Sequence, residues 1–360
     1  MLFRSVEELP IINSSLSDKA DVSGAFELQA NKKPKQCFQG QTHGNDGFLV
    51  SNDEAVKLVA ADPNAEKILH PYLIADDLLG TLDGRPKRHV IDFGERTIYA
   101  AKDFKDLYRR VQTLVLPDRE KAAEVEAEQN AAALADDKEG KTANDHTNAL
   151  KYWWRLFRRR KQMLDRIAAS SRYIVCARVT KRPVFAFIGR DIRPNDALTV
   201  FPFADDYSFG ILQSDLHWKW FVARCSTLKG DWRYTSSTVF DTFPWPQAPS
   251  LPKVKAVAAA AVELREKREE LQQQHSLSLR DMYRQLDLPG SNPLRSAQDD
   301  LDKAVRACYG LGKGDPLAFL LALNEKLAAV EDDGQAVQKP GLPTIVKDAS
   351  PFLTKDCITY

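Results

Sequence analysis

The chain has 360 residues, 43% of them hydrophobic and 28% charged, and its formal net charge is +1. This length and composition are typical of a soluble globular protein with two or three domains. No apolar run approaches the roughly 20 residues that cross a bilayer, and acidic residues interrupt the N-terminal stretch where a secretory signal would be apolar. The five cysteines are scattered and never spaced as Cys-x-x-Cys, which predicts reduced thiols, a cytoplasmic location and no zinc site.

The first part of the chain predicts short elements of mixed type. Turn residues, helix-capping residues and apolar periodicity mark where each begins and ends. In chain order, they predict a turn over 44–47, a strand over 48–50, a helix over 51–61, a helix over 64–70 that ends before Pro71, a strand over 89–93 and a helix over 104–116.

The second part begins with an acidic, alanine-rich stretch over 120–148, which predicts a solvated helix followed by a mobile loop. The elements predicted after it are a basic helix over 153–167, strands over 173–179, 184–188 and 198–203, one helix over 205–225, helices over 253–274, 279–286, 297–309 and 316–330, and an extended tail. Together these patterns predict an α+β fold, in which a mixed α/β domain precedes a C-terminal helical domain.

Positive charge is concentrated in the middle of the chain. Residues 151–250 contain 17 Lys and Arg against 8 Asp and Glu, a local net charge of +9. A partner that carries many phosphates requires such a concentration. A charged face that only contacts solvent is the alternative interpretation, and the charge alone does not decide between the two.

Two sets of residues in this basic segment have the chemistry that DNA recognition needs. Arg and Lys suit guanine edges, Asn suits adenine and Asp suits cytosine, and turns between strands hold such groups on short supports. The base-reading candidates are Lys181, Arg182, Arg190, Arg193, Asn195, Lys229, Asp231 and Arg233. A denser basic group is better suited to the DNA backbone, and its candidates are Arg155, Arg158, Arg159, Arg160, Lys161 and Arg178.

Each of these features also has a purely structural interpretation. Residues 158–160 are the kind of basic run that often forms a solvated helix face, and residues 229–233 could form a simple surface turn. Among the aromatic residues, Trp153 and Trp154 are favoured as core anchors. Four further rings are favoured as core residues over base-stacking groups: Tyr207, Phe209, Trp218 and Trp220.

A series of short motifs in a fixed order resembles the target-recognition region of type IIG (MmeI-like) restriction–modification methyltransferases. The motifs lie at residues 37–40, 46–49, 71–73, 76–78, 90–93, 153–154, 172–174, 177–179, 209–214 with His217 and Trp220, 234–235, and 240–246, which reads Phe-Asp-Thr-Phe-Pro-Trp-Pro. Residues 301–305, 309–310 and 320–327 are similar to the helical C-terminal region of the same family. The resemblance covers roughly residues 37 to 355.

The resemblance implies an enzyme with an N-terminal nuclease, a helical connector and an S-adenosylmethionine-dependent methyltransferase domain that modifies N6 of an adenine flipped out of the helix. The catalytic motifs of that enzyme are absent from this sequence. There is no Asn-Pro-Pro-Tyr motif, the glycines at 310–314 follow a helix, and Glu139-Gly140-Lys141 lies in the acidic stretch without a strand. We therefore expect no catalytic residue, metal site or cofactor in this chain.

The resulting interpretation divides the chain into four parts. Residues 1–51 are the junction or tail of a methyltransferase domain, 52–249 the DNA target-recognition domain, 250–332 the C-terminal helical domain and 333–360 the extended tail. The expected partners are double-stranded DNA and a separate methyltransferase or nuclease polypeptide, with no membrane. Three alternatives stay open: a specificity subunit that completes a methyltransferase in trans, an inactive remnant, and a regulatory DNA-binding protein.

Overall fold

The computed structural model describes residues 21–136, 142–228, 231–286 and 288–360. Predictions that concern residues 1–20, the loop at 137–141 or Lys229 therefore fall outside the described residues. Across these ranges, no helix combines the length and the apolar character that a membrane span requires.

Helices and short strands alternate up to residue 240, and helices dominate after it. The α-helices are α1 (Gln29–Lys32), α2 (Asn52–Ala61), α3 (Ala75–Gly80), α4 (Ile98–Lys102), α5 (Lys105–Asp136), α6 (Asp145–Lys151), α7 (Lys161–Ile167), α8 (Asp206–Gln213), α9 (Asp215–Arg224), α10 (Leu251–His275), α11 (Leu279–Gln285), α12 (Pro293–Tyr309) and α13 (Pro316–Asp332). The strands are β1 (Phe38–Gln39), β2 (Leu49–Ser51), β3 (Leu69–Leu73), β4 (Arg88–Ile91), β5 (Arg172–Ala177), β6 (Ala186–Gly189), β7 (Arg193–Pro194), β8 (Leu198–Phe201), β9 (Ser226–Leu228) and β10 (Asp231–Arg233). The predicted α+β class, with helices following a mixed region, is confirmed.

The chain folds into two compact units, each built from separate stretches of sequence. Among the described residues, the first unit comprises those within 21–38, 172–187 and 199–357, and the second comprises those within 39–171, 188–198 and 358–360.

The core of the first unit is aromatic and connects the sheet β1-β8-β5-β6 to the helices that follow. Phe240, Phe243 and Trp245 of the Phe-Asp-Thr-Phe-Pro-Trp-Pro motif are at most 1% exposed. Helices α8, α10 and α12 pack together beside them. Gly210 permits this close approach, because a Cβ atom there would lie 2.7 Å from a methyl group of Val257 on α10.

A buried ion network joins four segments of the first unit. The Arg172 guanidinium, whose side chain is 2% exposed, donates to Asp206 at 2.9 Å and to Asp356 at 3.0 Å. Arg265 pairs with both of these carboxylates, and the Thr354 hydroxyl donates to Asp206 at 2.8 Å. Arg172, Asp206 and Arg265 are at most 9% exposed, whereas Asp356 is 43% exposed. Burying charges is favourable only when each finds its partners, so this network fixes how α8, α10 and residues 354–356 meet.

The second unit has its own core around the sheet β2-β4-β3-β7. Strands β2 and β3 pair antiparallel with β4, and β7 adds parallel to β3. Helix α5 covers the sheet with Val111 and Val115, both fully buried. Trp153 and Trp154 are 8% and 7% exposed within this core, which confirms that they are core anchors.

A polar network inside the second unit ties residues 40–41 to the strand pair β3 and β7. The Tyr72 hydroxyl donates to the Gln41 carbonyl at 2.6 Å and accepts from the Asn195 amide at 3.0 Å. The Gln41 backbone N–H donates to the Pro194 carbonyl at 2.8 Å. Gly40 lies so close to this segment that a Cβ atom there would be 2.1 Å from the Asn195 carbonyl oxygen.

Three predicted elements outside the basic segment differ in the structure, each for a local reason. The helix expected over 64–70 is a 3-10 helix over Pro63–Lys67, and Pro71 lies inside strand β3, where pairing changes from β4 to β7. The single helix expected over 205–225 is divided at Ser214, whose hydroxyl accepts from the His217 N–H and caps α9. Helix α5 continues through Pro117 to Asp136, which joins two predicted helices.

Replacing Asp206 with Asn should destabilise the protein strongly, because Arg172 and Arg265 would then share the carboxylate of Asp356 alone. We expect about 3–5 kcal/mol lower free energy of unfolding in urea. Asp106→Asn is the matched control, since its ion pair with Arg109 is solvent-exposed on both sides and should contribute at most about 1 kcal/mol. Equal losses from the two substitutions would contradict a structural role for the buried network.

Gly40→Ala tests the close approach in the second unit. The new methyl group would overlap backbone atoms of Pro194 and Asn195, and such overpacking costs about 1–3 kcal/mol or more. Thermal unfolding should show the loss. Gly312→Ala is the control, because no heavy atom lies within 4 Å of the position that its Cβ atom would take. An unchanged melting temperature for Gly40→Ala would mean that residues 40–41 do not lie beside β7.

Candidate functional site

A small β-ribbon in the first unit gathers several of the predicted recognition residues. Strand β10 pairs antiparallel with β9, so that Arg233 lies opposite Ser226. On its other side, Arg233 bridges antiparallel to Val179. The Thr180 N–H donates to the Trp232 carbonyl at 3.0 Å, and the Tyr234 N–H donates to the Arg178 carbonyl at 2.8 Å. Residues 178–180 therefore extend the hairpin to a three-stranded ribbon.

One face of the ribbon is fixed by burial. The Tyr234 ring, 1% exposed, stacks on Phe221 with 5.6 Å between centroids, and its hydroxyl lies 2.9 Å from Nε2 of the fully buried His217. Burial lowers the pKa of His217 to about 3, so its imidazole is neutral at pH 7. Trp232 contacts the edge of the same Phe221 ring.

Arg233 lies between these two aromatic residues in sequence and so belongs to the face opposite Tyr234, because side chains alternate along a strand. Its side chain is half-buried, and within the described ranges its buried Nε atom has no hydrogen-bond acceptor. A buried N–H group without an acceptor is uncommon. Asp231 is the first residue of β10, and Lys229 lies outside the described residues.

The loop after residue 180 presents two more of the predicted cations. Lys181 is exposed, and its carbonyl accepts from the Trp218 indole N–H at 3.2 Å. Arg182 is half-buried, with its guanidinium 4.4 Å from the Trp218 ring centroid and 5.2 Å from that of Tyr283. The first unit thus brings together Arg178, Lys181, Arg182, Asp231 and Arg233 on or beside the ribbon.

The second unit contains the other three base-reading candidates, on residues 190–195. Arg190 is exposed in a turn. Arg193 is half-buried in β7, and it is one cause, after burial, of the lowered pKa of His70, which is about 4. Asn195 is 6% exposed. Its amide nitrogen donates to the Tyr72 hydroxyl, and its amide oxygen accepts from the Ala197 N–H. Of these three, Arg190 has the most accessible side chain.

The basic group at 158–160 is irregular backbone that precedes α7, and only Lys161 begins a helix, which differs from the basic helix predicted over 153–167. Arg159 Nε lies 3.0 Å from both carboxylate oxygens of the buried Asp92. Arg160 adopts a left-handed backbone with φ of 60° and donates to the Gln39 side chain at 2.9 Å. These two guanidiniums stabilise the fold locally.

The remaining backbone candidates are engaged more loosely. Arg158 pairs with Asp145 at 3.0 Å and Lys161 pairs with Asp165 at 2.7 Å, and these pairs are solvent-exposed. Arg155 donates to the backbone carbonyls of residues 95 and 96. Exposed ion pairs contribute little and exchange readily with other partners, so Arg158 and Lys161 remain accessible to a polyanion.

Two residues that sequence reasoning did not assign to recognition complete the site. Trp218, expected in the core, is instead half-exposed on α9 and contacts Lys181 and Arg182. Tyr283, on α11, lies about 100 positions from Arg182 in sequence, and no local pattern predicts that contact. The exposure of Trp218 could have been predicted from the sequence, because it is offset from the buried stripe of α9 that holds Leu216, Trp220 and Phe221.

Comparisons with known proteins match the same parts of the chain. Residues 156–247 match the family model "MmeI, target recognition domain", and residues 250–330 match "MmeI, C-terminal domain". The chain is 30% identical over 121 residues to DNA methyltransferase A of Bacillus subtilis strain 168. This match covers 34% of this chain and 13% of that protein.

The fold also resembles a solved structure, the type IIL restriction–modification enzyme MmeI in complex with DNA. The similarity has a TM-score of 0.67 at 20% sequence identity, and it covers 89% of this chain and 39% of that one. The chain therefore spans well under half the length of either relative. It contains an MmeI-like target recognition region at residues 156–247, followed by an MmeI-like C-terminal domain at residues 250–330.

Proposed function

We propose that the chain binds double-stranded DNA sequence-specifically, as the target-recognition part of a type IIG-like, S-adenosylmethionine-dependent DNA adenine-N6 methyltransferase or restriction enzyme. The observation that carries this proposal is the ribbon around Arg233. It lies within the segment that matches the target recognition domain, and it presents a partly buried arginine on the face opposite the core.

The chemistry of the ribbon suits the DNA major groove. The base edges in that groove differ in donors and acceptors for every base pair. Arginine can bind both acceptors of guanine, and aspartate can accept from cytosine. Arg233 and Asp231 are therefore the favoured base-reading residues. Lys181 and Arg190 are base-reading candidates by sequence, but because both are exposed we propose them, together with Arg158 and Lys161, as phosphate contacts.

Catalysis in this proposal belongs to a methyltransferase domain outside this sequence. That domain would bind S-adenosylmethionine and hold the flipped adenine, and it would be supplied by a separate polypeptide or by another part of the same enzyme. We propose a cytoplasmic location, with which the free thiols of all five cysteines are compatible. We also propose that the DNA target-recognition domain ends at residue 249 and the C-terminal helical domain at residue 332, with residues 1–51 as the junction to the methyltransferase domain.

Selection from random duplex DNA tests sequence-specific binding. The purified chain, with S-adenosylmethionine present, should retain duplexes that share a motif of several base pairs at moderate salt. Retention without a shared motif, or no retention, would contradict autonomous recognition and would favour an inactive remnant or a subunit that needs its enzyme partner.

Substitution of Arg233 tests the role of the ribbon. Arg233→Ala should cost about 1–3 kcal/mol at one base pair of the selected motif and relax the selectivity there. Arg190→Ala should instead weaken binding to all duplexes alike and lower the dependence on salt. Arg109→Ala, which removes an exposed cation of α5 paired with Asp106, is the control. If Arg233→Ala lowered the affinity for all DNA sequences equally, Arg233 would contact a phosphate and would not read a base.

A further inference from the structure

Arg182 has an unusually fixed side chain for a partly exposed arginine. Its guanidinium carbon lies 4.4 Å from the centroid of the Trp218 ring on α9 and 5.2 Å from that of Tyr283 on α11. Contact between a guanidinium and aromatic rings is attractive and orients the guanidinium plane. The two rings come from different helices, so Arg182 is held between elements distant in sequence.

The backbone that carries Arg182 is fixed as well. The Thr180 hydroxyl donates to the Arg182 carbonyl at 2.7 Å and accepts from the Arg182 N–H at 3.2 Å. Pro183 restricts the conformation of the residue before it. The indole N–H of Trp218 binds the Lys181 carbonyl, so the ring that contacts the guanidinium also anchors the loop.

Tyr283 is itself locked in place. It is 5% exposed, and the buried Arg268 donates to its hydroxyl from Nε at 3.1 Å and also from Nη2. Arg268 donates in addition to the Phe185 carbonyl at 2.8 Å. Helix α10 therefore holds the ring of α11 against the segment that follows Arg182, and both helices lie in the match to the C-terminal domain.

The guanidinium of Arg182 makes no hydrogen bond among the residues that the structure describes. Asp302 interacts with it electrostatically, but the hydrogen bonds of the nearby carboxylates are made to other groups. Asp302 accepts from the Asp215 N–H at 2.8 Å and from the Gln298 amide at 2.9 Å. Asp215 pairs with Lys219 and Arg306. A fixed guanidinium whose donors are not used within the fold is preorganised for an external acceptor.

We propose that Arg182 binds a pair of acceptor atoms on DNA, and that Trp218 and Tyr283 are its positioning residues. This inference rests on the proposed function. The planar guanidinium fork matches two neighbouring oxygen or nitrogen acceptors, which DNA offers at a guanine edge and at a phosphate. Through Tyr283, a residue of the C-terminal helices sets the geometry of a contact made by the recognition domain.

The experiment measures the affinity of the full chain for its selected duplex at several salt concentrations. Arg182→Ala should weaken binding about 5- to 150-fold. Arg182→Lys keeps the charge but loses the planar fork, so its affinity should lie between those of the wild-type chain and Arg182→Ala. Tyr283→Leu removes one ring and should weaken binding at least about threefold. Tyr283→Phe keeps the ring but removes the hydroxyl that accepts from Arg268, so its loss of affinity should be smaller than that of Tyr283→Leu. Circular dichroism and thermal unfolding establish that each variant is folded.

The pattern of loss identifies the acceptor. Relaxed selectivity at one base pair after Arg182→Ala indicates a base edge, and a uniform loss with a salt slope lower by about 0.9 indicates a phosphate. Arg284→Ala is the control, because it removes an exposed cation of the same helix as Tyr283.

Three outcomes would overturn the inference. One is wild-type affinity for Arg182→Ala, another is wild-type affinity for a folded Tyr283→Leu, and the third is an equal loss for Arg284→Ala. In each case the wild-type chain still selects a motif, and the proposed function stands. If the wild-type chain selects no DNA, the proposed function fails and the inference fails with it.

Discussion

The packing of Tyr234 into the core of the first unit is the constraint on which the candidate site depends. Because the ring stacks on Phe221 and its hydroxyl meets the neutral His217, the ribbon cannot shift by one residue without expelling an aromatic side chain from the core. A shift of that kind would also turn Arg233 inward. The core therefore determines which side chains of β10 are presented outward, while the identity of those side chains is left free to vary.

Charge burial sets a second constraint, and it separates the basic residues into two kinds. Arg172, Arg159 and Arg268 are paired or hydrogen-bonded within the fold, so their charges hold segments together. Lys181 and Arg190 are exposed. The excess of positive charge seen in residues 151–250 is thus only partly available to a polyanion, which net charge alone does not reveal.

The sequence was informative where local rules decide and uninformative where distant segments meet. Apolar periodicity located the first part of helix α5 and most C-terminal helices, and Trp153 and Trp154 were correctly favoured as core anchors. The split at Ser214 escaped prediction, although its capping hydroxyl was present in the sequence, because the apolar stripe continues across it. The partnership of Arg182 with Tyr283 and that of Tyr72 with Asn195 arise from tertiary packing, which no local pattern of a single sequence encodes.

The contacts of Asn324 have a consequence for exchanging parts between related proteins. Its amide donates to the Thr242 carbonyl at 2.8 Å and to the Phe26 carbonyl at 2.9 Å, and its oxygen accepts from the Phe26 N–H. One fully buried side chain on α13 thereby joins the beginning of the described chain, the aromatic motif and the last long helix. A hybrid protein whose junction lies between residues 245 and 251 would pair a motif from one parent with an amide from the other. Grafts that carry the helical segment together with the ribbon avoid that mismatch.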